Sequence, residues 1–343
     1  MNVDSRFKHT MANMLNAQLS YHSWRSVRSA NNVRKKWSEK YNLDLSFPWN
    51  ARKLNNFIMM GKEEGLKAAT LRSYISRLNK LQRVKCGMDI TWTTESGLVL
   101  KGMEHMASSE GPRRVAITPF LLWKLKVALS KSSFKSYDRR VLWFVACIMW
   151  SACLRSSEIL CATRKRFVRA TTMLRGDVVY GSEGDKEFLV IGIKSPKEAR
   201  NGNTITKVEV FRTGLFNCPI VAWNNLRNAW GDQEKDTEPL AQLSDGGLTR
   251  EMFNSILRKL LAGVVDYDKH LVLSHSFRSG IATCLSRLGC NPETVMAQGR
   301  WSSASYMAYI KQGRTTRWSE QQKISLQLAE MVSNWQNTEV LIA

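Results

Sequence analysis

The chain has 343 residues, 43% of them apolar, which is enough for one large or two ordinary domains with buried cores and too hydrophobic for a disordered chain. Lys and Arg number 51 against 29 Asp and Glu, a net charge of +22; such self-repulsion points to a polyanionic partner, nucleic acid before an anionic membrane surface. Met1 to Thr10 carries no apolar signal-peptide core, and the longest apolar run, Val141 to Leu154, is too short to span a bilayer, so neither secretion nor membrane insertion is expected.

The first hundred residues read as short helices. Arg34-Lys35-Lys36 forms a basic cluster ahead of Trp37. From Thr70, Leu71, Ile75, Leu78 and Leu81 recur at helical spacing, while Arg72, Ser76, Lys80 and Arg83 share another side of the same helix. That side reads either as a phosphate-binding stripe or as an ordinary solvated face. Ala107 to Arg114, where Ser, Gly and Pro cluster, reads as a linker.

Beyond it, Thr118-Pro119 is a helix start, with Thr as N-cap and Pro in the first helical position. A second helix runs from about Asp138 through the apolar stretch. Between Met173 and Phe211 the chain turns β-like: Phe188 to Ile193 and Thr204 to Phe211 are rich in Val, Ile and Thr, and flank a polar loop, Lys194 to Asn203. From Pro219 onward the pattern is helical again. The expected fold is mainly α with one small antiparallel β-sheet, in this order: a helical domain over 1–106, a linker over 107–114, a second domain over 115–317 and a C-terminal helix or tail over 318–343. The seven cysteines (86, 147, 153, 161, 218, 284 and 290) contain no C-x-x-C pair. They read as reduced thiols, with no zinc or other metal site.

Three stretches carry candidate chemistry. In Ser151-Ala-Cys-Leu-Arg155-Ser-Ser-Glu158, the arginine and the glutamate are three apart, so the carboxylate can hold the guanidinium on a helical turn. In His275-Ser-Phe-Arg278-Ser-Gly280, His and Arg project from one helix face near its N-terminus, an arrangement suited to a phosphate. The third is Gly299-Arg-Trp301-Ser-Ser-Ala-Ser-Tyr306-Met-Ala-Tyr309-Ile310. Each alone is a weak signal; the ordered combination, with a lysine-bearing hairpin between the first two, is specific.

That order resembles the signature of the tyrosine recombinase (phage-integrase) superfamily, over roughly Val115 to Lys311. The wording H-S-F-R-S-G with G-R-W-S-S and Y-I is most similar to the recombinases of the crypton and DIRS-like eukaryotic mobile elements. The resemblance implies a two-domain clamp, a helical core-binding domain plus a catalytic domain. It implies that Arg155 and Arg278 hold the scissile phosphate, His275 transfers a proton or hydrogen-bonds beside them, Trp301 donates its indole N–H, Glu158 supports, and Tyr309 is the nucleophile. Tyr306 competes with Tyr309, because the step from Trp301 to Tyr309 is one residue shorter than the usual phage and bacterial spacing. The catalytic lysine falls on the hairpin, at Lys197, which keeps the strand alternation and sits at the turn, or at Lys194.

The implied activity is site-specific DNA cleavage and rejoining through a 3′-phosphotyrosine, without metal, ATP or other cofactor. Its partners are double-stranded DNA, with Arg34, Lys35, Lys36, Arg72, Lys80 and Arg83 as candidate backbone contacts, and further copies of the chain, four on two duplexes. A type IB topoisomerase, a DNA-binding protein that has lost catalysis, and a phosphate-binding regulator are the competing readings. Ser319 and Gln322 form a capping box before an apolar stripe of Ile324, Leu328, Met331 and Trp335, expected to dock on a neighbouring subunit or on its own domain. The expected location is nuclear in a eukaryotic host and cytoplasmic otherwise.

Overall fold

The computed structural model describes residues 21–106, 113–194, 205–231, 236–268 and 270–309. The chain divides into two compact units, Met1–Glu110 and Gly111–Ala343. Most of the expected linker, residues 107–112, lies outside the described residues, as do Lys197 and the whole tail from residue 310. Among the described residues, no helix is long and apolar enough to cross a membrane.

The first unit is all helix: α1 (Tyr21–Lys40), α2 (Ala51–Glu63), α3 (Ala68–Cys86) and α4 (Thr94–Met106). The stripe of Leu71, Ile75, Leu78 and Leu81 is buried, as its spacing demands. Leu71, Ile75 and Leu78 of it pack with Trp37, Trp49, Phe57 and Leu100 in one core. Trp49 is tied at both of its donors: its indole N–H donates to the Leu45 carbonyl at 2.8 Å, and its backbone N–H donates to Gln82 Oε1 at 2.8 Å. Helix α3 ends at Gly87, whose φ of 69° is the left-handed conformation that glycine adopts without a steric cost.

The second unit is built around α6 (Ser136–Ser151), whose Phe144, Val145, Ile148 and Met149 are fully enclosed. Helix α5 (Pro119–Ser130) precedes it, starting where Thr118 accepts a hydrogen bond from the Leu121 N–H. Strands β2 (Val178–Glu183), β3 (Lys186–Ile193) and β4 (Thr206–Phe211) form one antiparallel sheet with β3 in the centre. Register sets the core positions, with Val210 beside Leu189 and Val178 and Val208 on either side of Ile191; Tyr180, opposite Leu189, is exposed. The fold is mainly helical with a small antiparallel sheet, as the sequence suggests.

Two details differ. The sequence reading has a single sheet, whereas the chain also makes two short pairings, β1 (Arg113–Arg114) parallel to β7 (His270–Leu271) and β5 (Gln242–Leu243) with β6 (Gly246–Gly247). Runs of two residues carry no period to detect. The apolar run to Leu154 is also not one helix, because α6 stops at Ser151 and Cys153 turns left-handed at φ 50°. The remaining helices that position the site are α7 (Ser156–Ile159), α8 (Pro219–Arg227), α9 (Arg250–Leu260), α10 (Ser276–Arg287) and α11 (Pro292–Gly299), followed by a 3-10 segment, Ala304–Tyr309.

Candidate active site

Two helices of the second unit end in the same way. After α6, the N–H of Cys153 donates to the Trp150 carbonyl and that of Leu154 to Met149. After α11, the N–H of Arg300 donates to Ala297 and that of Trp301 to Met296. These are paired closures about one left-handed residue, a position where glycine is usual; here it is Cys153 (φ 50°) and Arg300 (φ 52°). Gln298 Nε2 ties the two ends together by donating to the Ser151 carbonyl at 2.7 Å.

Arg278, in the first turn of α10, reaches both ends. Its Nη1 donates to the Cys153 carbonyl at 2.6 Å and its Nη2 to the Gly299 carbonyl. Helix C-termini concentrate unsatisfied carbonyls and partial negative charge, so two of them offset the cost of enclosing a guanidinium that is 0% exposed. Burial still lowers its pKa from the ordinary arginine value. The Trp301 indole covers it, and the Gly299 Cα lies so close to that ring that an added Cβ would meet it at 1.7 Å. Glycine before Arg-Trp is therefore a packing requirement.

Glu158 is the second node. Its Oε2 accepts from the Arg155 backbone N–H at 2.7 Å and from Arg300 Nη2 at 2.7 Å, and its Oε1 accepts from Arg155 Nη1 at 2.9 Å. The first of these bonds also satisfies the start of α7, where Arg155 is the N-cap residue. Arg300 Nη1 in turn donates to the Ala152 carbonyl at 3.1 Å. His275 caps α10 one turn before Arg278. Its pKa is lowered first by burial, then by the positive charges of Arg278, Arg114 and Arg155. The site therefore gathers guanidinium groups around a neutral imidazole, which is an anion-binding arrangement.

The structure thus brings Arg155, Glu158, His275, Arg278 and Trp301 together from separate stretches of chain. Tyr306 is buried beside Trp301, ring centroids 6.1 Å apart. Tyr309 closes the 3-10 segment that begins at Ala304. Lys194, just past the end of the central strand β3, has its ammonium 2.6 Å from Asp177 Oδ2 and 3.4 Å from the Thr172 carbonyl. Two residues of the site escaped the sequence reading. Arg300 stands in the G-R-W stretch, where spacing gives it no role. Arg114 falls at the end of the expected linker.

In the first unit, one candidate DNA contact is corrected. Arg34 is buried, donating through Nη1 to the Leu45 carbonyl at 2.5 Å and through Nε to Asn31 at 2.9 Å, with its guanidinium over Phe47. It holds the α1–α2 connection instead of facing solvent. Arg72 pairs with Glu104 and Arg83 with Asp89, which reduces the charge of the α3 stripe. Lys35, Lys36 and Lys80 are exposed. So are Arg25 and Arg28, about three and two turns before Lys35 on α1, which have no part in the sequence reading.

No family model and no curated protein sequence matches the chain. Solved structures do. A lambda integrase dimer bound to a COC′ core site is similar with a TM-score of 0.55 at 13% identity, over 94% of this chain and 100% of that one. The XerH site-specific recombinase bound to a palindromic difH substrate, a post-cleavage complex, gives 0.54 at 15% identity, over 89% and 76%. The Tn1549 transposon integrase in complex with circular intermediate DNA gives 0.52 at 13% identity, over 86% and 91%. The chain has the fold of the tyrosine recombinases.

Proposed function

We propose that the chain is a site-specific DNA recombinase that cuts and rejoins strands through a covalent phosphotyrosine. The observation that carries this reading is the gathering of Arg155, His275, Arg278 and Trp301 from three distant stretches, with Arg278 against Trp301, Arg155 paired with Glu158, and the charges of both arginines acting on His275. That the three similar structures are complexes with DNA supports the same reading.

The chemistry follows from charge. Tyr309 Oη attacks the phosphorus, forming an O–P bond, and the bond to the 5′-oxygen breaks. Negative charge gathers on the non-bridging oxygens, where guanidinium donors neutralise it. The phenol's proton passes to His275, whose low pKa keeps the imidazole neutral and able to accept it. The departing oxygen takes its electron pair and a proton from the hairpin lysine. We assign that lysine as Lys197, because Lys194 is engaged by Asp177. Tyr309 is preferred over Tyr306 because the latter is 4% exposed and packed into the core. Reversal by a free 5′-hydroxyl rejoins the strand, with the bond energy kept in the phosphotyrosine.

On this reading the substrate is double-stranded DNA, contacted in part by the exposed lysines Lys35, Lys36 and Lys80, and the working assembly is four copies on two duplexes. The kinship with crypton and DIRS-like recombinases rests on the motif wording alone. The test is trapping on nicked DNA that carries the element's terminal sequence, comparing wild type with Tyr309→Phe and Tyr306→Phe for an SDS-resistant adduct. Loss of adduct only in Tyr309→Phe is expected. Loss only in Tyr306→Phe moves the nucleophile, and no adduct at all with DNA binding intact sinks catalysis. Relaxation of plasmid lacking any recombination site would favour a type IB topoisomerase instead.

A further inference from the structure

Arg300 sits in a backbone conformation that suits another residue. Its φ of 52° and ψ of 48° bring the Cβ of an L-residue against its own carbonyl, which is why glycine is the ordinary occupant of such a helix ending. A non-glycine residue held there at a functional site invites the question of what its side chain does. The guanidinium turns back across the end of α6, to the Ala152 carbonyl at 3.1 Å and Glu158 Oε2 at 2.7 Å, and the side chain is 12% exposed.

The consequence is electrostatic. Glu158 is 5% exposed, and one carboxylate is shared by two guanidinium groups, Arg155 through Oε1 and Arg300 through Oε2. With Arg300 gone, the remaining Arg155–Glu158 pair would be neutral overall, and Oε2 would keep only the Arg155 backbone N–H. With Arg300 present the cluster is net positive, and the carboxylate against which Arg155 is set is fixed from its far side.

Resting on the recombinase reading above, we propose that Arg300 is a positioning residue for phosphate binding. It acts through Glu158, keeping Arg155 in place and the Arg155–Glu158 cluster positive toward the scissile phosphate.

The test uses the full chain on nicked duplex, comparing wild type, Arg300→Gly and Arg300→Lys. Arg300→Gly removes the guanidinium while suiting the left-handed backbone. The buried bonds to Glu158 and Ala152 go with it, so its thermal midpoint should fall, and cleavage is compared at a temperature where both proteins are folded. Adduct formation is expected to slow by about 100-fold, the scale at which a misplaced catalytic group costs rate, with DNA affinity little changed. Arg300→Lys should recover part of the rate. A substrate with a neutral methylphosphonate at the scissile position has less charge to stabilise, so on it the gap between wild type and Arg300→Gly should narrow. A purely structural defect would leave that gap equal on both substrates, which would overturn the proposal, as would wild-type cleavage by Arg300→Gly. If wild type itself forms no adduct, the recombinase reading falls and this role with it; an adduct from wild type with no effect at position 300 removes this role alone.

Discussion

The guanidinium of Arg278 lies against the face of Trp301, with Cζ 4.3 Å from the ring centroid. Arg278 is 0% and Trp301 8% exposed, so the cation–π contact is desolvated and worth about 2 kcal/mol. Trp301→Ala removes that face and leaves a cavity beside Arg278 and Tyr306, with an expected loss of about 3–5 kcal/mol in urea unfolding. Trp301→Phe keeps an aromatic face and should lose less; on the recombinase reading proposed above, loss of the indole N–H should also slow cleavage. Equal stability of the alanine variant and wild type would mean that the ring does not seal the site.

His275 makes stability depend on pH. Burial comes first among the causes that push its pKa below 6.5, followed by the Arg278, Arg114 and Arg155 charges. The unfolded chain therefore takes up this proton at a higher pH than the folded chain does. The contribution is fully present above about pH 6.5, the unfolded value, and is lost as pH falls from there toward the folded value. Thermal midpoints of wild type measured between pH 8 and pH 5 should drop at the acid end. His275→Gln should show a shallower drop; parallel curves would mean that the folded imidazole titrates normally.

The parts of the fold that announce themselves are those where one element buries one face. Leu71, Ile75, Leu78 and Leu81 recur with the helical period because α3 has a single core side, and Leu189, Ile191 and Ile193 alternate because β3 does. Strand β2 was indistinct because only Val178 of its residues is buried, leaving Val179 and Tyr180 exposed on an edge strand. The pairing of Arg155 with Glu158 is local and follows from spacing. The Arg300 contact with Glu158 spans 142 residues and depends on a left-handed turn that side-chain chemistry does not encode. Arg34 shows the converse. A run of basic residues reads as one surface, yet on α1 the helical turn sends Arg34 inward and leaves Lys35 and Lys36 outside.

Thiol reactivity follows burial. Cys147, Cys153, Cys161, Cys218 and Cys284 are buried, while Cys86 and Cys290 are partly accessible. Burial raises the pKa of Cys153 to about 11 and that of Cys284 to about 12, which leaves almost no thiolate to react at neutral pH. An aromatic disulfide reagent should therefore titrate Cys86 and Cys290 in the native protein, and all 7 cysteines of the chain only after unfolding. Fast reaction of Cys153 would show that the turn beneath Arg278 opens in solution.

Gly280 ends the H-S-F-R-S-G stretch for a steric reason that can be tested directly. A Cβ at that position would lie 2.0 Å from the Ile117 carbonyl oxygen. That oxygen also accepts the Trp150 indole N–H at 3.1 Å, and the Ile117 N–H donates to the Ser276 carbonyl at 2.9 Å. The obstacle is backbone pinned on both sides, so a methyl group cannot be accommodated by a rotamer change. Gly280→Ala should destabilise the protein by at least the ~1–3 kcal/mol typical of overpacking, although alanine is the better helix former by about 1 kcal/mol. Because α10 carries Arg278 and His275 is its N-cap residue, the recombinase reading predicts that its displacement slows adduct formation at temperatures where the variant is still folded. Urea unfolding and single-turnover cleavage of Gly280→Ala beside Gly263→Ala, a position where no atom lies within 4 Å of the added Cβ, separate the two effects. Equal stability of both variants would mean that α10 stands further from Ile117 than the structure has it.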